Sequence, residues 1–274
     1  LSGRSARLRA GRFVVEGPQG VREAVAAHTT AGGPVHEVFL TAEAATRHHA
    51  LVSAARAVGI PVRRVGDEVL TAMADTVTPQ GMLAVCALVD VPLDRVVATD
   101  PLLVAVLANV RDPGNAGTVL RAADAAGAEA VVLTRASVDV HNPKCVRSTA
   151  GSLFHLPVVT GADLAATVTA LRGAGLTVLA AAGDGDVDLD DLQDAAAAGS
   201  ADGLAGPVAW VFGNEAWGLP AADLALADAV VRVPVHGRAE SLNLATAATV
   251  CLYATARAQR RTAGCRVGAV PSSG

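Results

Sequence analysis

The sequence predicts an α/β fold built on a mainly parallel sheet, and three observations carry that expectation. Short apolar runs alternate with helical patterns along most of the 274 residues. Leu102–Leu107 (LLVAVL) is apolar at every position, as a strand covered on both faces should be. Gly, Asn, Glu and Ser collect where apolar runs give way to helical patterns, which is where such chains fold back and where ligands meet backbone.

The elements follow in order. His36–Leu40 (HEVFL) reads as a strand, and Ala42–Val58 as one helix ended by Gly59. Pro61–Val65 reads as a strand, Glu68–Ala74 as a short helix and Met82–Val89 as a buried strand. The two prolines and several acids of VDVPLDRVVATDP, around residues 90–101, suit a linker, placed at 93–101. Beyond it, Leu102–Leu107, Ala130–Leu133, Thr177–Ala181, Val208–Phe212 and Ala229–Val233 read as strands. Thr118–Ala126 and Asp163–Arg172 read as helices, and Ser241–Arg261 as a long closing helix. Residues 264–274 are expected to be a disordered tail. The chain thus divides into an N-terminal domain over 1–92, the linker, and a larger domain over 102–263.

Composition narrows the class. Half the residues are apolar, yet no uninterrupted apolar run approaches the ~20 residues that span a bilayer. The opening LSGRSARLRAGR lacks a signal-peptide core, so a cytoplasmic protein is expected, with no membrane partner. Cys86, Cys145, Cys251 and Cys265 form no CxxC pair and read as free thiols. The net charge of −4 excludes a wholesale polyanion binder, but Arg4, Arg7, Arg9 and Arg12 could form a basic arm, and Arg257, Arg260, Arg261 and Arg266 crowd the other end. No metal is expected. The acidic run Asp184–Asp191 has Leu189 where a calcium loop needs Gly and Ala195 where it needs Glu, so it reads as a solvated loop.

Three segments concentrate the chemistry. In Asn109–Gly127 (NVRDPGNAGTVLRAADAAG), Asn115 is placed as an N-cap, and Arg121 lies almost two turns further on. In Phe212–Leu219 (FGNEAWGL), Gly213 and Gly218 let backbone approach a ligand, with Asn214 and Glu215 between them. This is not a phosphate loop: the spacing differs from GxGxxG, and Glu215 would repel a pyrophosphate. In Val233–Tyr253 (VPVHGRAESLNLATAATVCLY), Ser241 is placed as the N-cap of the closing helix and Asn243 in its first turn, either exposed or in need of a partner. His236 reads as a loop residue in packing or polar contact. Taken singly, each segment is compatible with an ordinary connection.

Together, DPGNxGxxxRxAxxxG, GNExxGL and VPxxGxxxSLNxAxAxxxxLY, in this order and spacing, resemble the motifs of the SpoU/TrmH family of RNA ribose methyltransferases. Asp139–Val158 (DVHNPKCVRSTAGSLFHLPV) resembles the family's segment between motifs, and Arg9–Val25 (RAGRFVVEGPQGVREAV) resembles the start of its small RNA-substrate domain. The resemblance implies a ribosomal-protein-like RNA-binding domain followed by a SPOUT domain with a deep trefoil knot, which no periodicity could reveal. It implies a homodimer, S-adenosylmethionine as cofactor, and structured RNA as substrate, ribosomal rather than transfer RNA. It also implies catalytic roles for Arg121, Asn115, Glu215, Ser241 and Asn243, and cofactor contacts at Gly213, Asn214, Gly218, Val233 and Leu242. A transfer-RNA enzyme, a non-catalytic RNA-binding protein of the same fold, and a methyltransferase acting on a base or a small molecule are the alternatives.

Overall fold

The computed structural model describes residues 1–29, 32–200 and 203–268, with side chains up to Arg261. In chain order, the first elements are α1 (Arg4–Ala10), β1 (Arg12–Glu16), α2 (Pro18–Ala26), β2 (Val35–Leu40), α3 (Ala42–Arg47), α4 (His49–Ala57), β3 (Val62–Arg64), α5 (Asp67–Met73) and β4 (Met82–Ala87). There follow α6 (Leu93–Val97), β5 (Leu103–Leu107), α7 (Pro113–Ala126), β6 (Ala130–Thr134), α8 (Pro143–Thr149), β7 (Val158–Ala162) and α9 (Leu164–Gly173). The last are β8 (Thr177–Ala181), β9 (Val187–Asp188), α10 (Leu189–Ala197), β10 (Val208–Phe212), α11 (Ala221–Leu224), β11 (Ala229–Arg232) and α12 (Leu244–Gly268). By contacts the chain forms two compact units: Leu1–Asp90 with Pro113–Arg121 and Asp139–Pro157, and the remainder. No described helix is long and apolar enough to cross a membrane.

The first unit is a small α/β body whose four-stranded sheet runs β1-β4-β2-β3. β4 lies antiparallel to β1 and to β2, while β3 is parallel to β2. Phe13, Val15, Leu40, Met82 and Leu83 are buried between the sheet and its helices. The helix expected over 42–58 is two helices. His48 leaves helical dihedrals (φ −114°, ψ 36°), and its carbonyl accepts from Val52 N to start the second. Thr41 caps the first, its hydroxyl accepting from Ala44 N.

The expected basic arm is corrected at one position. Arg7 is buried rather than offered to phosphate, although Arg4, Arg9 and Arg12 are exposed. Its Nε and Nη2 donate to Asp139 Oδ2 at 2.9 and 2.6 Å, and its Nη1 donates to the carbonyls of Leu1 and Ser2. Burial raises the pKa of Asp139, but hydrogen bonds from His141 and Arg7 outweigh that and hold its carboxyl well below the usual carboxylate range. The stability this contributes is present above the unfolded carboxylate value, ~3.9, and is lost as pH falls through the native value. Urea denaturation of wild type and Asp139→Asn should therefore show midpoints that differ at pH 6 and converge as pH drops below about 4. A gap that stays constant down to the acid limit would contradict this assignment.

The second unit carries the parallel sheet, in the order β7-β6-β5-β10-β8-β11-β9, with every pairing parallel. β5, β6 and β10 are buried at every position, which is why each reads as an apolar run, broken only by Thr134 at the end of β6. Val104, Val106, Val132, Val178 and Val211 form one core layer with Val168 and Leu171 of α9. Across the sheet, Trp210 is fully buried and its indole Nε1 donates to Thr255 Oγ1 of α12 at 2.9 Å.

Thr255 fixes how α12 lies. Gln259, one turn on, donates to the carbonyls of Leu102 and Gly206, just before β5 and β10 begin. The helix therefore runs antiparallel to those strands. The ~22 Å from residue 259 back to 244 exceeds the ~16 Å of a five-residue strand, which brings the start of α12 to the strands' carboxyl ends. Thr255→Val should cost about 1–3 kcal/mol by leaving the indole N–H unpaired in a dry core. Denaturant midpoints measure it, and an unchanged midpoint would contradict the role given to this bond.

Several expectations shift. The linker contains α6, whose Val96 is buried in the core. The run Asp184–Asp191 is not merely a solvated loop. Its Asp188 forms β9 and caps α10 by accepting from Asp190 N, and Arg232 pairs with it at 3.0 Å. The closing helix begins at Leu244 and continues to Gly268, and the rest of the tail expected to be disordered, residues 269–274, lies outside the described residues. Cys86, Cys145 and Cys251 are buried and outside any disulfide, and burial pushes the Cys86 and Cys251 thiols each up to about 12.

Candidate functional site

Within the second unit, the turn after β10 is a tightly constrained stretch of backbone at the sheet's carboxyl edge. Asn214 and Gly218 exchange backbone hydrogen bonds at 3.0 and 2.9 Å, folding Gly213–Leu219 into a tight loop. A Cβ on Gly213 would stand 2.5 Å from Gly218 C and 2.7 Å from Leu219 N, so only glycine fits there. Gly218 takes φ +68° with open space around it.

Asn214 is buried, and each polar atom of its side chain has a partner. Its Nδ2 donates to Asn109 O at 2.8 Å, and its Oδ1 accepts from Ala216 N at 2.8 Å. Asn109 itself sits at φ +59°, a conformation Asn tolerates better than most residues. Its N–H donates to Thr134 Oγ1, and the next amide, Val110 N, donates to Ser137 Oγ. Glu215 is exposed, and its carboxylate oxygens lie 3.5 and 3.4 Å from Arg111 N and Asp112 N. The second motif thereby holds the residues that lead into the first. Above the loop, the Arg111 guanidinium stands 5.1 Å from the Trp217 ring centroid, a cation–π pair with Trp217 still half exposed.

Val233 directly follows β11, two strands from β10 in the same sheet, which is a spacing of ~10 Å. Ser241, Leu242 and Asn243 precede α12 and so belong to the same carboxyl edge. Here the cap assignment is corrected. Asn243, not Ser241, caps the helix: its Oδ1 accepts from Ala245 N at 2.9 Å and Thr246 N at 3.4 Å. Ser241 and Leu242 are exposed beside it. His236 is exposed too, 3.9 Å from an Asp190 carboxylate oxygen.

Asn115 and Arg121 lie on the part of α7 that belongs to the first unit, and the other eight expected site residues lie in the second. Asn115 is not an N-cap, because the helix already begins at Pro113. Six residues separate it from Arg121, which places them ~9 Å apart along the axis and on different faces. Arg121 is exposed. Gly117 fixes the helix around it: a Cβ there would meet Cys145 O at 2.5 Å and Ser148 Cβ at 2.6 Å, so α7 and α8 cross backbone to backbone.

Four residues here escaped the sequence reading: Asn109, Arg111, Gly117 and Trp217. Asn109 carried a signal, an asparagine immediately after an apolar run, where a left-handed turn is common. The pairing of Arg111 with Trp217 carried none, since over a hundred residues separate them.

Fold and site together define an open α/β protein, a class that binds ligands at the strand carboxyl ends, and here that edge is lined by glycine backbone, amides and apolar side chains. The chain belongs to the SpoU rRNA methylase family, whose model matches residues 102–253; residues 14–91 match the RNA 2'-O ribose methyltransferase substrate binding domain. The 23S rRNA (guanosine(2553)-2'-O)-methyltransferase RlmP of Bacillus subtilis (strain 168) is 33% identical over 247 residues, covering 90% of this chain and 89% of that protein. The crystal structure of the SpoU methyltransferase AviRb from Streptomyces viridochromogenes, in complex with AdoMet, superposes with a TM-score of 0.78 at 32% identity, over 96% of each chain. That of an AdoMet-bound rRNA methyltransferase from Sinorhizobium meliloti gives 0.77 at 28% identity, over 93% of this chain and 91% of that one.

Proposed function

We propose that this chain is an S-adenosylmethionine-dependent methyltransferase acting on the ribose 2′-hydroxyl of ribosomal RNA. The observation that carries the reading is the likeness to a 23S rRNA 2'-O-methyltransferase over nine-tenths of the chain, substrate-binding segment included. The residues present suit the cofactor. With Gly218 open on its Cα side, and apolar Val233 and exposed Leu242 on the same edge, the loop can receive a flat base and a sulfur chain through backbone and apolar contact. Gly213, Asn214, Gly218, Val233 and Leu242 are assigned that role. When bound, S-adenosylmethionine supplies a methyl group already activated on sulfonium.

The protein's own task is then alignment and charge. A ribose hydroxyl is a weak nucleophile, and holding it in line with the donor's methyl carbon can supply ~7–11 kcal/mol. Arg121 is assigned to the developing alkoxide and the flanking phosphate, because its fork of donors fits both. Asn115 and Ser241 are assigned to the polar contacts of the ribose. Glu215 and Asn243 act by holding the loop ahead of α7 and the start of α12 where the chemistry needs them.

The finer reading adds a homodimer, a cytoplasmic location and the deep trefoil knot. Exposed Val250 and Tyr253, three residues apart on α12, support the dimer, which light scattering would test. The order β5-β10-β8-β11-β9 supports the knot, since the chain leaves β8 for β9 at the far edge, crosses back to β10 and returns to β11 between β8 and β9 before α12 lies back along β5 and β10. Mapping 2'-O-methyl positions in ribosomal RNA from cells with and without this protein tests the function. One ribosomal position should lose its methyl in the deletion strain, and identical maps would overturn the proposal.

A further inference from the structure

The first unit holds a cavity of about 260 Å³ between β1, the loop before β4, and α8. Val15, Leu70 and Met82 supply apolar wall, and Thr76, Gln80 and Arg147 supply polar wall. Arg147 is incompletely satisfied. Its Nη2 donates to Asp75 Oδ2 at 3.1 Å, but its buried Nη1 makes no hydrogen bond among the described residues. The nearest carboxylate oxygen, Glu16 Oε2, is 3.6 Å away, beyond hydrogen-bonding reach.

Glu16 cannot turn to help. Its carboxylate already accepts from Asp75 N at 2.7 Å, Thr76 N at 3.2 Å and Thr76 Oγ1 at 2.9 Å. Gly17, at φ +84°, keeps the rim open: a Cβ there would stand 2.9 Å from Gln80 Oε1. A buried guanidinium N–H without an acceptor is costly enough to need an explanation, and a ligand acceptor supplies one.

The walls select the ligand. A phosphate would want several donors and would be repelled by Glu16 beside the one on offer. A flat heteroaromatic ring bearing one edge acceptor fits both the apolar lining and the single donor. RNA offers such rings wherever bases are unpaired and splayed out. Resting on the function proposed above, we infer that this cavity takes one unpaired nucleobase of the RNA substrate, its carbonyl oxygen or ring nitrogen accepting from Arg147 Nη1.

The test uses the full chain, unmodified in vitro transcribed 23S rRNA and S-adenosylmethionine, with two variants whose thermal melts are first matched to wild type. Arg147→Gln replaces the guanidinium with a shorter, neutral amide and so withdraws the Nη1 donor from the cavity. Ala74→Leu fills the cavity while leaving Arg147 and both its carboxylate neighbours in place. Both should raise KM for the transcript by roughly tenfold to a hundredfold, the worth of one specific base contact. Both should leave kcat and S-adenosylmethionine affinity near wild type. Wild-type turnover with an unchanged KM in Ala74→Leu would overturn the base subsite alone, and a rise confined to Arg147→Gln would assign Arg147 to structure and overturn it equally. If wild type itself places no methyl on the transcript, the functional reading fails and the subsite falls with it.

Discussion

Replacing Arg121 with alanine is expected to lower kcat by roughly 10²–10³ while leaving S-adenosylmethionine affinity nearly unchanged, the pattern for a lost transition-state donor. The residue is exposed on α7, and alanine is at least as good a helix former as arginine, so little of any loss can be charged to folding. Arg121→Lys separates charge from geometry. Lysine keeps the positive charge but loses the planar fork that can hold an alkoxide and a phosphate together, so partial recovery is expected. Single-turnover rates together with calorimetry check both variants. Full turnover in Arg121→Ala would remove Arg121 from the chemistry.

Gly213→Ala should also have a large effect, for a steric reason. The new Cβ would press on Gly218 C at 2.5 Å, Gly218 O at 2.6 Å and Leu219 N at 2.7 Å, all of them backbone. No side chain can swing aside, so the loop must open, breaking the Asn214–Gly218 pair and disturbing the Asn214 bond to Asn109 O. Overpacking of this kind typically costs about 1–3 kcal/mol, and the opened loop should bind S-adenosylmethionine more than about tenfold more weakly. Gly218→Ala is the milder change for the fold, and stability alone is compared between the two variants. Nothing crowds that position, and only the left-handed backbone penalty of ~1–2 kcal/mol applies. Equal cofactor affinity in Gly213→Ala and wild type would show that this turn does not cradle the ligand.

How much of this was legible in the sequence depended on whether a signal was local. β5 and β10 were readable because a strand buried on both faces must be apolar throughout, and Leu103–Leu107 and Val208–Phe212 are. The glycine pair at 213 and 218 was readable because close backbone approach excludes a Cβ at the first and a left-handed φ favours glycine at the second. The burial of Arg7 was not readable: its partner Asp139 lies 132 residues away, and nothing near Arg7 distinguishes it from Arg4 or Arg9. α10 stayed hidden because acids favour both solvated loops and helix starts, and Asp188 serves the second use. Ser241 and Asn243 are both good caps two residues apart, so only coordinates could choose between them. Strand order is non-local by nature, and the placing of β10 between β5 and β8 could not be deduced from spacing.

The most direct measurement is chemical: incubate the purified chain with methyl-labelled S-adenosylmethionine and unmodified 23S rRNA, digest the RNA to nucleosides, and identify the labelled product by mass spectrometry. Label in a single 2'-O-methylated nucleoside is the expected result. Label on a base, or none in RNA at all, would contradict the assignment of a sugar hydroxyl as the acceptor.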